Sequence, residues 1–385
     1  MSEISILITL AFIIFASPYI AKIIKIPTAP TEILLGILFG AIGLLQDNAS
    51  FKVVADIGFY YLMFLAGTEV NLKVFITTKR EILKKSILFL ALLYVLSTIA
   101  IFTFDINKIF IIITPLISIG ILSTLYKEYG KDEEWLNMAM IVGIIGEVVS
   151  IALLTVFSAY LKYGFGTGLF INLSALIGFL VVTTLIFNGL EILFWWYPSV
   201  KKILMPSYDK EEKDIRLSMA LFCFVIAITI MLHLKVVIGA FIAGTFIPTF
   251  FEHKKDLPHK LSSFGFGFLV PIFFVYIGST VNLEALLNIE ILKNMILITI
   301  GMIIVRLIAS TIFIKNLGSK GIILFGFSLS IPLTLLIATA AIGYETNYIS
   351  KDLYYSFILA SLFQAIVCMV FIKIVSALKL DKNSN

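Results

Sequence analysis

The residues with the most distinctive chemistry in this chain are two charges placed where charges are rare. Trp135 to Phe157 reads WLNMAMIVGIIGEVVSIALLTVF, long enough to cross a bilayer and apolar except for a few small or polar residues and Glu147 near its middle. A charge at the bilayer centre costs roughly 3 kcal/mol on insertion scales. Such a carboxylate marks a functional site unless it is a neutral acid in a helix contact or lies nearer the helix end. Desolvation disfavours the ionised form, which lets a buried carboxylate trade a proton for a cation. Arg306, in ILITIGMIIVRLIASTIFI, is the one basic residue at comparable depth. It is more than one helical turn from either end of its run, too deep for simple snorkelling. A guanidinium stays protonated, so it suits a fixed counter-ion and not a proton carrier.

Further candidates are weaker. Ser118, Ser123, Thr124, Ser330 and Thr334 offer hydroxyl oxygens, although each alone is more commonly a helix-packing group. Glu69 ends an apolar run and is either solvated at the interface or lines a cytoplasmic funnel. Glu32 resembles it, near the start of another run, and Glu191 reads as structural. Gly36 and Gly40 have the small-residue spacing of a close helix contact. Cys223 and Cys368 lie in apolar runs and read as core thiols. No phosphate loop, catalytic triad, metal-ligand cluster or haem motif is present, so neither an enzyme nor a resident cofactor is expected.

The elements that position these groups follow from composition. The chain is 60% hydrophobic and 14% charged, against about 25% charged in soluble domains. It is an all-α polytopic membrane protein, its first apolar run has no cleavage site, and its net charge of +5 belongs to loops, not to nucleic-acid binding. About 20 apolar residues span a bilayer. On that rule thirteen spans are expected: 3–21, 27–45, 53–70, 86–104, 108–126, 135–160, 168–195, 214–233, 236–251, 263–281, 290–312, 319–343 and 353–378. With the N-terminus outside, 22 Lys and Arg fall on inside segments, six on outside segments and Arg306 within a span, which accounts for all 29. Positive residues favour the inside, so the C-terminus is expected in the cytoplasm.

An internal repeat divides the spans. Gly67-Thr-Glu-Val-Asn-Leu72 closes the third and Gly278-Ser-Thr-Val-Asn-Leu283 the tenth. Ile117-Ser-Ile-Gly-Ile121 matches Leu329-Ser-Ile-Pro-Leu333 in the fifth and twelfth. Spans 1–6 then correspond to spans 8–13, with the seventh as linker helix. Seven spans separate equivalents, so the two six-helix repeats are inverted in the membrane. That architecture places sites near the midplane, at helices broken by Gly or Pro in both halves. The matching breaks are Pro115 and Gly120 in the fifth span and Pro332, beside Ser330, in the twelfth.

Several stretches together resemble the monovalent cation:proton antiporters, antiporter-2 branch: Ile26-Pro27 with ILLGILFGAIG, DIGFYYLMFLAGTEVNL at 56–72, SIGILSTLYKEYG at 118–130, IGAFIAG at 238–244 and PIFFVYIGSTVNL at 271–283. They stand in family order over nearly the whole chain. The resemblance implies a sodium/proton antiporter-like fold with crossing broken helices, residues 1–80 and 214–285 forming a dimerisation panel of a homodimer. Residues 81–162 and 286–378 would be a mobile core, 163–213 a linker and 379–385 a short cytoplasmic tail. It places Glu147 where the family has its ion-binding Asp, Arg306 where it has a basic residue, and Ser118 and Gly120 in the fifth-helix crossing. The sequence departs from the pattern in having Glu rather than Asp, Gly146 where a second Asp, Asn or Gln is usual, and Pro115-Leu116-Ile117 in place of Ser-Pro-Thr.

The function so implied is exchange of Na⁺ or K⁺ for H⁺ across the cell (inner) membrane, electroneutral because one carboxylate holds either ion. The lipid bilayer is the expected surrounding partner. Two alternatives stand beside it: a gated potassium efflux channel, and an organic-anion transporter or sensor on the same fold.

Overall fold

The computed structural model describes residues 2–24, 26–46, 48–70, 78–120, 122, 125, 129–130, 133–204, 211–251, 254 and 256–377. Ser123, Thr124 and the expected tail lie outside them. The described residues are helical with no strand. The helices are α1 (Ser2–Ile24), α2 (Thr28–Ala41), α3 (Ala49–Glu69), α4 (Arg80–Phe104), α5 (Phe110–Ile113), α6 (Glu134–Tyr163), α7 (Thr167–Trp196) and α8 (Pro198–Leu204). They continue as α9 (Lys213–Met231), α10 (Val236–Phe250), α11 (Leu257–Phe264), α12 (Val270–Ser279), α13 (Ile289–Ser310), α14 (Ile314–Leu329), α15 (Leu333–Glu345) and α16 (Lys351–Ala377). Polar residues mark several ends. The Asn48 and Asn288 side chains accept the first free amides of α3 and α13, and Asp105 closes α4 in the left-handed conformation at φ 49°.

Among the described residues nine helical runs are long and apolar enough to cross a membrane, and α2, α10 and α15 are shorter apolar helices. The difference from thirteen spans has local causes. Ile289–Leu329 is one 41-residue run, so expected spans 290–312 and 319–343 join through a tight turn at Thr311–Phe313 and a non-helical Gly318 (φ 65°, ψ 178°). The expected span 319–343 is itself cut at Ser330–Pro332, and the expected span 108–126 holds a helix of only four residues before it opens. Expected span 263–281 begins earlier, at Leu257, and passes through a wider turn at Gly265–Leu269 before α12.

The chain divides into two compact units. The first comprises Met1–Ile24, Thr31–Lys73 and Ser158–Val281, with α3 packed between α10 and α12. Glycine makes that packing possible. A Cβ on Gly67 would run into the carbonyl oxygen of Phe241 and stand 3.0 Å from the Gly244 Cα, and a Cβ on Gly244 would meet the carbonyl oxygen of Phe64. Gly278 meets α2 in the same way, against the Ile33 carbonyl and the Gly36 Cα, and Gly40 lies against Ser279. Gly67 and Gly278, which open the repeated sequence motif, therefore do the same work: each seats the backbone of a third helix on the backbone of the opposite repeat's second. Glu32 is buried here, accepting from the Ser17 hydroxyl at 3.2 Å. That excludes the solvated, interfacial one of its two expected placements, because Ser17 of α1 covers it. Cys223 is exposed on α9 and not a core thiol, since an apolar helix face in a membrane protein serves lipid as well as core.

The second unit comprises Lys25–Pro30, Val74–Phe157 and Asn282–Asn385. Here α13 packs on α14 and α16, and α16 also on α15. Phe89 of α4 closes one end against Phe313 and Phe325, whose rings are 4.9 Å apart. All the groups described in the next subsection, Glu69 and Glu191 excepted, lie in this unit.

Candidate functional site

Two interruptions of helix define the site. After α5 the chain runs through Thr114–Ile119 without helix and turns helical again at Gly120. Pro115 explains the stop, having no amide to continue the ladder. The second interruption is Ser330–Pro332, where α14 ends and Pro332 caps α15. The Pro332 carbonyl accepts from Leu336 at 2.8 Å, so α15 starts normally behind it.

An opened segment inside an apolar unit must find partners for its backbone groups. Helix α6 supplies several. The Ile117 amide donates to Ser150 Oγ at 3.1 Å, and the Ile119 amide donates to Glu147 Oε2 at 3.3 Å. Glu147 and Ser150, three residues apart, share one face of α6. On that face Gly143 and Gly146 are the floor under the segment. A Cβ on Gly146 would lie 2.6 Å from Ile117 Cδ1 and 3.0 Å from its Cβ, and one on Gly143 would lie 2.8 Å from Leu122 Cδ1. Gly146, the residue before Glu147, is thus matched to Ile117 of the opened segment.

Glu147 is fully buried near the middle of the 30-residue α6. Its other oxygen, Oε1, accepts from the Ser118 hydroxyl at 3.3 Å, and Ser118 Oγ stands 3.2 Å from Thr334 Oγ1. With the Ser118 proton directed at Glu147, Thr334 is the donor to Ser118. The first interruption therefore meets the start of α15 through side-chain oxygens: one carboxylate and two hydroxyls in successive contact, all buried.

Arg306, also fully buried, serves the same segment from α13. Its guanidinium donates to the Leu116 carbonyl, and to the Met302 carbonyl at 3.1 Å. A charged donor on a freed carbonyl is the stronger kind of hydrogen bond. Of the residues singled out in the sequence, Glu147, Ser118 and Thr334 are joined directly, Arg306 holds the same opened segment through Leu116, and Pro115 and Pro332 mark the two interruptions. Ser330 turns its hydroxyl back to the Gly326 carbonyl at 2.7 Å and offers its own carbonyl to the Cys368 thiol at 3.7 Å. Gly120 has open space where a side chain would stand, so it permits no special approach. Glu69 is the half-buried last residue of α3 in the first unit, and Glu191 is exposed on α7. Ser150 was the residue missed. Its signal was the three-residue spacing from Glu147.

The family described as "Sodium/hydrogen exchanger, transmembrane" matches residues 8–377. The chain belongs to that family. It is a multi-pass membrane protein, as the expected likeness to monovalent cation:proton antiporters required, though the matching family is the sodium/hydrogen exchangers and not specifically the antiporter-2 branch. "Probable Na(+)/H(+) antiporter 3" of Methanocaldococcus jannaschii is 26% identical over 97% of this chain and 96% of its own length. YjbQ of Bacillus subtilis, whose name proposes a Na(+)/H(+) antiporter, is 25% identical over 94% of this chain, which spans only 61% of that relative. The solved sodium proton antiporter MjNhaP1 from Methanocaldococcus jannaschii aligns with TM-score 0.64 over 99% of this chain and 100% of that one, at 14% identity, a likeness of fold.

Proposed function

We propose that this exchanger family member is a secondary antiporter that moves one monovalent cation, Na⁺ or K⁺, against one H⁺ by alternating access, with Glu147 as the exchangeable carboxylate. The observation that carries the reading is the state of Glu147: buried at mid-helix, with both oxygens accepting from the opened Ser118–Ile119 segment. Those donors can hold a carboxylate, and either a proton or a dehydrated cation can offset its buried charge, so the group is poised to release one ion as it takes the other. Ser118 and Thr334 supply neutral oxygens for a dehydrated cation. Arg306 acts as the fixed counter-ion, through the carbonyl it holds. One carboxylate with a glycine neighbour supports electroneutral exchange, and the names of the relatives favour Na⁺ over K⁺.

The wider assignments rest on the family. Residues 1–80 and 214–285 form the panel of a homodimer, 81–162 and 286–378 the moving core, and Glu69 lines the funnel. The protein sits in the cell membrane with its N-terminus outside and C-terminus in the cytoplasm. The test is Glu147→Gln in proteoliposomes. Gln keeps the shape and cannot exchange a proton, so cation-driven proton movement should disappear while the protein remains folded and monodisperse. Normal exchange by that variant would remove Glu147 from the mechanism. Cation flux outrunning proton movement in the unaltered protein would point to a channel instead.

A further inference from the structure

The second unit contains a group of buried polar atoms that the exchange site does not use. Gln364, on α16, is fully buried, and neither its Nε2 nor its Oε1 has a hydrogen-bond partner among the described residues. The same holds for Thr299 Oγ1 and Arg306 Nε, both on α13 and both buried. Burying an unpaired amide is unfavourable, and native interiors rarely leave one without a guest.

The helix register sets Gln364 and Thr299 at one level of the two packed helices. Ser356 Oγ stands 3.5 Å from the Ile291 carbonyl, and α13 and α16 pack on each other with one interrupted crossing, α14 and α15, between them in the chain. The helices therefore run parallel, in step from that contact. Gln364 is eight residues beyond Ser356 and Thr299 eight beyond Ile291, about 12 Å along each helix. Gln364 and Cys368 are one turn apart on one face of α16, as Thr299 and Arg306 are two turns apart on one face of α13.

We propose that the seam between α13 and α16 holds a second polar station, formed by Gln364, Thr299 and the Arg306 Nε, which binds water and through it sets the position of Arg306 on the Leu116 carbonyl. The chemistry selects the guest. Gln364 offers a donor and an acceptor, Thr299 either, and Arg306 Nε only a donor, so the guest must both donate and accept, as water does. A bare cation suits the amide oxygen and the hydroxyl but is repelled by the guanidinium. Gln364 and Thr299 are then positioning residues that act through Arg306, and only this second part rests on the exchange reading given above.

The experiment has two arms. In the first, the purified protein is exposed to a millisecond X-ray pulse, and oxidation by radicals from bound water is mapped by mass spectrometry. Met302 and Cys368, 1% and 0% exposed, should be oxidised at rates near those of surface residues, and several-fold more slowly in Gln364→Leu, roughly as displacement of the guest requires. If both remain unoxidised in the unaltered protein, no water is bound and the proposal fails. In the second arm, Na⁺ half-saturation and the pH profile of exchange are measured for Gln364→Leu and for Thr299→Val, which removes only a hydroxyl. Half-saturation should rise about threefold or more with the fold retained, and the pH profile should move. Oxidation as expected with transport unchanged in both variants would overturn the steering role. Loss of exchange that Glu147→Gln does not share would instead count against the exchange reading.

Discussion

The hydroxyls of Ser118 and Thr334, 216 residues apart in the chain, stand 3.2 Å from each other, and Ser118 passes the contact on to Glu147. Ser118 lies in one interruption of helix and Thr334 in the first turn of the helix that follows the other, so this single pair links the two broken stretches.

Ser118→Ala should therefore weaken cation binding without unfolding the protein. It removes the donor to Glu147 Oε1, and a hydrogen bond to a charged group is worth roughly 1.5–3 kcal/mol. Na⁺ half-saturation should rise about tenfold or more. Thr334→Val should raise it less, and the double variant by less than the product, because the two changes break one shared contact. Sodium titrations of exchange in proteoliposomes check all three.

Gly146→Asp would restore an acidic neighbour to Glu147, yet it should not create a second ion site. Any side chain at position 146 meets Ile117, whose Cβ is 3.0 Å from where the new Cβ would stand. Overpacking of this kind costs about 1–3 kcal/mol, and an added buried charge costs more. The expected result is a lower thermal midpoint and lost exchange, measured by scanning fluorimetry in detergent and by transport.

Arg306→Met should destabilise the unit and not merely remove a charge. The Leu116 carbonyl would lose its donor inside an apolar environment, at about 1–3 kcal/mol. For a chain of 385 residues that lowers the thermal midpoint by roughly 1–4 °C. Arg306→Lys keeps one charged donor and should recover part of the loss, but not the bond to Met302 as well.

The glycine contacts of the first unit make a prediction with a built-in control. Gly67→Ala or Gly244→Ala places a methyl group against a backbone carbonyl and should abolish stable expression. Gly178→Ala, on α7, meets nothing within 4 Å and should be neutral or stabilising by up to about 1 kcal/mol. Fluorescence-detected gel filtration of tagged variants compares them.

Much of this was visible in the sequence where residue types are rare. A lone Glu or Arg in an apolar run, Pro in the same place of two repeats, and the recurrence of Gly67 at Gly278 all stand out against a leucine- and isoleucine-rich background. What was hidden is what that background conceals. The apolar runs 108–126 and 319–343 look continuous because hydropathy does not register where a helix opens. Ser150 was missed because a hydroxyl in a membrane helix usually bonds its own preceding turn, as Ser97 and Thr155 do here. The sequence leaves Glu32 open between the interface and a funnel because nothing in its own run shows that Ser17 of α1 covers it. The meaning of Gly146 needed the facing Ile117, which sequence separation disguised.

If one carboxylate serves both ions, protons compete with cations for it. As pH falls, the protonated fraction of Glu147 rises and cation half-saturation should increase, by up to about tenfold per pH unit. The limiting rate at saturating Na⁺ should change little over the same interval. Dissipating the membrane potential should leave the rate unaltered, since each cycle moves no net charge.

The most direct measurement is a count of protons released when Na⁺ is added to the purified protein in weakly buffered detergent solution, set against Na⁺ bound. The account predicts one proton per Na⁺ for the unaltered chain and none for Glu147→Gln. Two protons per Na⁺, or release that persists in the Gln variant, would contradict it.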